Sequence, residues 1–174
     1  MVPVRTLTVL RLALLLTALS LATGSTASAA APALGPNVIV FDPSMPVGQI
    51  QATVDAIYAQ QVNAEMGTSR YALLFKPGVY GTAGQPLQMK VGYYTEVAGL
   101  GASPGDVTIN GKIEVYNRCL ADGGTSNCVA LVNFWRSVSN LSLNVGAAGQ
   151  DGCRASANFW AVSQASSMRR LETT

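Results

Sequence analysis

Nine carboxylates are spread along the chain: Asp42, Asp55, Glu65, Glu96, Asp106, Glu114, Asp122, Asp151 and Glu172. Acid–base chemistry needs two such groups held on opposite sides of a substrate, but no spacing here sets any two of them opposite each other. Each reads as a surface, capping or turn residue. Asp151, in the glycine-rich turn GQDGC, is the one to single out as a candidate site residue. There is no histidine. That excludes a Ser-His-Asp or Cys-His centre and any histidine-ligated metal within these residues. No acidic cluster suits calcium, so neither a metal nor another cofactor is expected. Gly99 and Gly101 in VAGLGASPG fit the start of a dinucleotide fingerprint, but the next required glycine falls on Pro104. Proline there resists the helix that motif needs, so the segment reads as a turn between strands.

Cysteines and aromatics carry the remaining signal. Cys119 and Cys128 bracket the polar segment RCLADGGTSNC, whose two glycines let it fold back, and a bridge between them is expected. Cys153 is then odd, either a free thiol or the partner of a cysteine elsewhere. The tripeptide Asn-Phe-Trp occurs at Asn133 and again 25 residues later at Asn158. Each copy is followed by a small polar stretch and then an apolar strand: Val138, Leu141 and Leu143 after the first, Met168 and Leu171 after the second. Leu141 and Leu171 are 30 residues apart, so the second copy carries five extra residues in its turn. Along a strand Phe and Trp point to opposite faces. One ring should join the interior, and the other could stack on a sugar, or both simply pack in the core.

The elements that must position these residues follow from composition and periodicity. MVPVRTLTVLRLALLLTALSLATGSTASAAAPA has two arginines, a short apolar run, small residues and an Ala27-Ser28-Ala29 cleavage site. Residues 1–29 therefore read as a secretory signal peptide and 30–36 as a flexible leader, with secretion expected. The apolar run is short for a membrane span. Without Arg5 and Arg11, nine basic residues balance the nine acidic ones. Neither nucleic acid nor, after signal cleavage, a membrane is expected as partner. FDPSMPVGQIQATVDAIYAQQVNAEMG reads as a helix, capped by Ser44, with Pro46 in its first turn, Ile50, Val54, Ile57 and Tyr58 on one face, and Gly67 as stop. After it come short strands and turns: YALLF, LQMKV, two strands around Asn110-Gly111 in VTINGKIEVY, CVALVNFW and VSNLSLNV. The repeat, with its insertion confined to one turn, points to stacked coils of an all-β parallel β-helix over 37–174, with the helix capping the first coil.

FDPSMP…IQATVDAIYAQQ, RYALLFKPGVYG, LQMKVGYYTEVAGLG, INGKIEVYNRCLADGGTSNC and DGCRASANFWAVSQASSMRR resemble the N-terminal region of secreted actinobacterial laminarinases of glycoside hydrolase family 55. The resemblance implies two tandem right-handed parallel β-helices with a cleft between them, and exo-acting, inverting hydrolysis of β-1,3-glucan without a metal. It implies that Gln164 holds the attacking water, a task for which a neutral amide can donate to one partner and accept from another. The other possibility is a polar ladder residue in a coil turn. Trp160 is a candidate contact for the sugar. Family members are several times longer, and the family's general acid, a glutamate in the second helix, has no counterpart here. The expectation is thus an incomplete solenoid, inactive alone and lacking its C-terminal β-helix. A non-catalytic glycan-binding or cell-surface β-helix is the alternative.

Overall fold

The computed structural model describes residues 34–115, 134–148 and 166–174, with backbone alone at 118–119, 128–129 and 147–148. The expected signal peptide and most of the leader lie outside the described residues.

Strands follow one another and pair with the strand of the preceding turn. β1 (Val38–Phe41) is followed by helix α1 (Val47–Gln61), then β2 (Tyr71–Phe75), β3 (Gly78–Tyr80), β4 (Leu87–Lys90), β5 (Thr95–Gly99) and β6 (Val107–Glu114). A backbone hairpin of β7 (Arg118–Cys119) and β8 (Cys128–Val129) precedes β9 (Ser137–Asn144) and β10 (Ser167–Thr173). One column runs Ala72↔Glu96↔Ser137↔Ser167 through β2, β5, β9 and β10, with β1 outside β2. A second joins β3, the start of β6 and the end of β9 through Tyr80↔Ile109↔Leu143. A third joins β4 to the end of β6 through Met89↔Ile113. Every one of these pairings is parallel, and β6 and β9 each serve two columns, so the eight-stranded sheet curls. Met168 lies opposite Val138 and Leu171 opposite Leu141, the 30-residue step expected from the sequence.

Two glycines make the curl possible. VTINGKIE is one bent strand rather than the two expected, and it turns at Gly111, φ +156°, where any Cβ would collide with the Leu87 carbonyl. At Gly99 a Cβ would collide with the Asn140 carbonyl of the next turn. Asparagines occupy the neighbouring bends. Asn144 Nδ2 donates to Asn110 Oδ1 at 3.0 Å, and Asn110 Nδ2 to the Gly81 carbonyl at 3.0 Å. Asn140, at φ 55°, donates Nδ2 to the carbonyls of Gly99 (2.9 Å) and Gly101 (2.7 Å).

The interior is built from inward rows one turn apart. Leu73, Val97 and Val138 form one, Tyr80, Ile109 and Leu143 another, and Met89 with Ile113 a third, all buried. Such strands alternate inward apolar with outward polar residues, as in the Leu87–Lys90 pattern of buried and exposed positions. α1 lies against β4, with Ile50, Val54 and Ile57 in the same buried cluster as Phe41, Phe75, Leu87 and Met89, and with Gln61 buried as well. Fully burying one such aliphatic chain stabilises by about 1.5–3 kcal/mol, so this row is what holds the helix in place. Its ends differ from the expected ones. Pro46 occupies the N-cap position, and Ser44 instead donates Oγ to Asp42 Oδ1 at 2.7 Å. The helix stops at Gln61, before Gly67, where the Gln61 carbonyl accepts from Tyr93 N at 2.9 Å and Gln61 Nε2 donates to the Tyr93 carbonyl at 2.7 Å. Tyr58 is only half-buried.

Candidate functional site

At the corner leading into the first column the backbone does something unusual. Tyr94 and Trp135, one turn apart, both sit in the left-handed region at φ 53° and 58°. Bulky side chains seldom adopt it, at a cost of about 1–3 kcal/mol each. The corner is held by hydrogen bonds from Tyr71 N to the Tyr94 carbonyl (3.0 Å) and from Tyr94 N to the Trp135 carbonyl (2.8 Å). The two rings are stacked, centroids 5.1 Å apart and planes 5° from parallel. Arg70 covers the other face of Tyr94, its guanidinium carbon 3.5 Å from the ring centroid, and the Tyr94 hydroxyl donates to the Glu65 carbonyl at 2.7 Å. Both faces of Tyr94 are therefore used. Trp135 gives one face to Tyr94 and remains 40% exposed, so it is the ring of this column that a planar ligand can still reach.

The alternation expected for Phe134 and Trp135 does not hold. Phe134 is half-buried and tilted against Trp135 at 5.5 Å rather than inserted in the core. The left-handed turn at Trp135 interrupts the strand, which begins only at Ser137, and the interior of that turn is filled by Val138.

Behind the aromatic corner lies Arg136, only 5% exposed. Its Nε donates to the Val91 carbonyl (2.9 Å), an Nη to the Phe134 carbonyl (2.8 Å), and its guanidinium lies 4.4 Å from the Tyr93 ring centroid. Burial pulls its pKa down to about 10, partly countered by Tyr93 and Tyr58, which leaves it cationic at neutral pH. It ties the corner to the turn below. On the outside of the first column stand Glu96, Ser137, Ser139, Ser167 and Arg169, a polar surface with Glu96 its exposed carboxylate.

Most of the other described carboxylates match the sequence reading. Asp42 pairs with Lys76 at 3.0 Å, and its pKa falls to about 2 because Ser44 donates to it from side chain and backbone and Lys76 adds a further hydrogen bond. Asp106 Oδ2 accepts from the backbone of Ser103 at 2.8 Å in a capping box, which lowers its pKa. Asp55 accepts from Gln51 at 2.9 Å. Glu114 is the exception. It and Lys112 form a 3.2 Å ion pair with side chains 5% and 1% exposed. Strand alternation puts both on the outward side, opposite Gln88 and Lys90, which are exposed. Periodicity identifies the side of the sheet but not what covers it, so this pair was not legible. A general acid needs its pKa raised, whereas those of Asp42 and Asp106 are lowered.

Gln164, Trp160 and Asp151, the residues singled out from the sequence, lie outside the described residues, as does Cys153. Of Cys119 and Cys128 the backbone is described, and the antiparallel hairpin sets them opposite each other. Among the described residues no three His, Cys, Asp or Glu side chains converge, and no helix is long and apolar enough to cross a membrane.

No family model matches the chain. A curated protein, the exo-beta-1,3-glucanase of Streptomyces sp. (strain SirexAA-E / ActE), is 45% identical over 138 residues, 79% of this chain and 20% of that protein. The solved structure of sacteLam55A from Streptomyces sp. SirexAA-E superposes with a TM-score of 0.63 at 42% identity, over 81% of this chain and 22% of that one. A variant of sacteLam55A in complex with glucose gives 0.60 at 44% identity, over 80% and 22%. This chain thus spans about a fifth of the length of the relatives it matches.

Proposed function

From its homology to about a fifth of a family 55 exo-β-1,3-glucanase, we propose that this chain is the N-terminal part of a secreted, inverting exo-β-1,3-glucanase acting on laminarin-like glucan. The single observation that carries the reading is the 45% identity over 138 residues, with a matching backbone at TM-score 0.63. In this reading the curled sheet is the first part of a right-handed parallel β-helix with α1 as its cap. Two features support that architecture. Each column is built by strands stacked one turn apart, and parallel crossovers are right-handed in nearly all sheets.

Inversion requires a protonated acid beside the leaving oxygen and a group that activates water on the opposite face of the sugar. We assign the second task to this stretch, with Gln164 orienting the water and Trp160 and Asp151 contacting the sugar. Gln164 and Trp160 precede β10 and Asp151 follows the turn after β9, so all three belong to the connection between these paired strands. The acid is assigned to residues beyond this stretch. The fixed, half-exposed Trp135 also favours a second reading, a glycan-binding surface without catalysis.

The experiment is a glucose-release assay on laminarin with this chain alone and with a protein of the relatives' full length carrying it. Release by the long protein and none by the short one is expected. Enzyme-like release by the short chain would overturn the division of labour. Laminarin binding without release in the long protein would favour the second reading.

A further inference from the structure

We propose that Cys119 and Cys128 are joined by a disulfide that closes the arm between β6 and β9, leaving Cys153 outside the pair. Three cysteines allow three pairings, and the spacing that favours this one does not by itself prove it. The backbone register supports it: β7 and β8 are antiparallel, with Arg118 opposite Val129 and Cys119 opposite Cys128. Directly opposed residues in an antiparallel pair hold their Cα atoms about 4.5 or 5.5 Å apart, depending on whether they exchange hydrogen bonds. Both separations fall within the roughly 4.4–6.8 Å that a disulfide spans, so the register is compatible with the bridge. A bridge from either residue to Cys153 would leave the other opposed to a cysteine that has gone elsewhere.

The hairpin has a reason to need the bridge. It is the one antiparallel pairing among the described strands, and its ladder is two residues long on each side. An isolated two-stranded ladder is marginal in water even at greater length. The segment it closes, LADGGTSN, has two adjacent glycines and no apolar run that could bury itself. A covalent tie removes the open forms of this arm from the unfolded ensemble. Chemically, the two thiols lose two protons and two electrons, and the sulfurs join. The electrons reduce the disulfide of a glutathione-type or dithiol-protein oxidant, which leaves as two thiols.

The test uses the cleavage sites the chain already has. Trypsin cutting after Arg118, Arg136 and Arg154 yields one peptide, Cys119–Arg136, that holds both cysteines, and another, Ser137–Arg154, that holds Cys153. The full chain, folded in a glutathione redox buffer, is alkylated without reduction, digested and weighed. The expected result is a Cys119–Arg136 peptide two hydrogens lighter than the dithiol and unlabelled, with the same peptide in the Cys153→Ser variant. Two labels on Cys119–Arg136, or a cross-link between the two peptides, overturns the proposal. As a second readout, reduction should lower the thermal midpoint of the wild type and leave that of the Cys119→Ser/Cys128→Ser variant unchanged. Equal responses of the two proteins count against the bridge.

Discussion

Removing one member of the Lys112–Glu114 pair should damage the fold more than removing both. The pair is 3.2 Å apart with side chains 1% and 5% exposed. At an effective dielectric of about 20 its Coulomb attraction is roughly 5 kcal/mol, which offsets a desolvation penalty of several kcal/mol for each ion. The net worth of the intact pair is therefore small. Glu114→Leu, however, takes the carboxylate away from a lysine whose side chain is only 1% exposed. Losses of this kind run to about 3–5 kcal/mol. Lys112→Met should do similar harm from the other side. Lys112→Met/Glu114→Leu keeps the volume and removes both charges, and changes of that kind are often neutral or stabilising. Urea unfolding of the four proteins, followed by circular dichroism, completes a double-mutant cycle. Each single variant should lose several kcal/mol, and the double variant should be more stable than either. Singles that lose less than about 1 kcal/mol, or a double whose loss is the sum of the two, would falsify the view that this pair is desolvated and coupled.

Three further outcomes follow from the same geometry. Asn140 combines a left-handed backbone with two hydrogen bonds to Gly99 and Gly101; Asn140→Ala should cost about 2–3 kcal/mol by chemical denaturation and Asn140→Gly less, since glycine restores the φ but not the bonds. Equal losses would remove the backbone contribution. Asp42 has a folded pKa of about 2 against 3.8, so its contribution is fully present above pH 3.8 and is lost as the pH falls toward about 2. By NMR titration Ser44→Ala should move that pKa upward, and no movement would show that Ser44 is not the main cause. In a protein of the relatives' full length, Gln164→Ala should lower turnover more than it weakens substrate binding, because a water-holding contact strengthens as the water attacks. Unchanged turnover with stability intact would return Gln164 to a structural role.

What the sequence made legible were the features that repeat. Strand after strand, the inward rows appear as apolar residues at alternate positions, and one pair of turns was even recoverable in register, Leu141 with Leu171. The helix was visible because Ile50, Val54 and Ile57 recur on one face. Its ends were not, since the Gln61 side chain and carbonyl are both taken up by the Tyr93 backbone in the turn between β4 and β5. That choice depends on a neighbour 32 residues away, which no local signal contains.

The candidate site shows the same division more sharply, because its features lie on the outside of the curled sheet. Outward positions are polar by pattern whether water or protein covers them. Lys112 and Gln88 are opposite each other in the same outward column, yet one is buried and the other exposed. The corner aromatics are a parallel case. Tyr94 and Trp135 fall 41 positions apart in sequence, at no fixed period, and are stacked because the register of Glu96 with Ser137 brings the two corners together. A curled parallel sheet whose connections vary in length can keep its interior regular while its exterior records each insertion. Chemistry built on such an exterior is therefore specified by which turns are adjacent. The repeated tripeptide illustrates this: its copies recur at 25 residues while the strands that follow them pair at 30. Five residues thus separate the second copy from the position that the strand register would give it in sequence. Gln164 lies within this offset segment, after Trp160 and before Ser167. Parallel strands stacked in register can absorb a change in connection length without disturbing their apolar rows, and such connections are where residues that serve chemistry rather than packing can be placed.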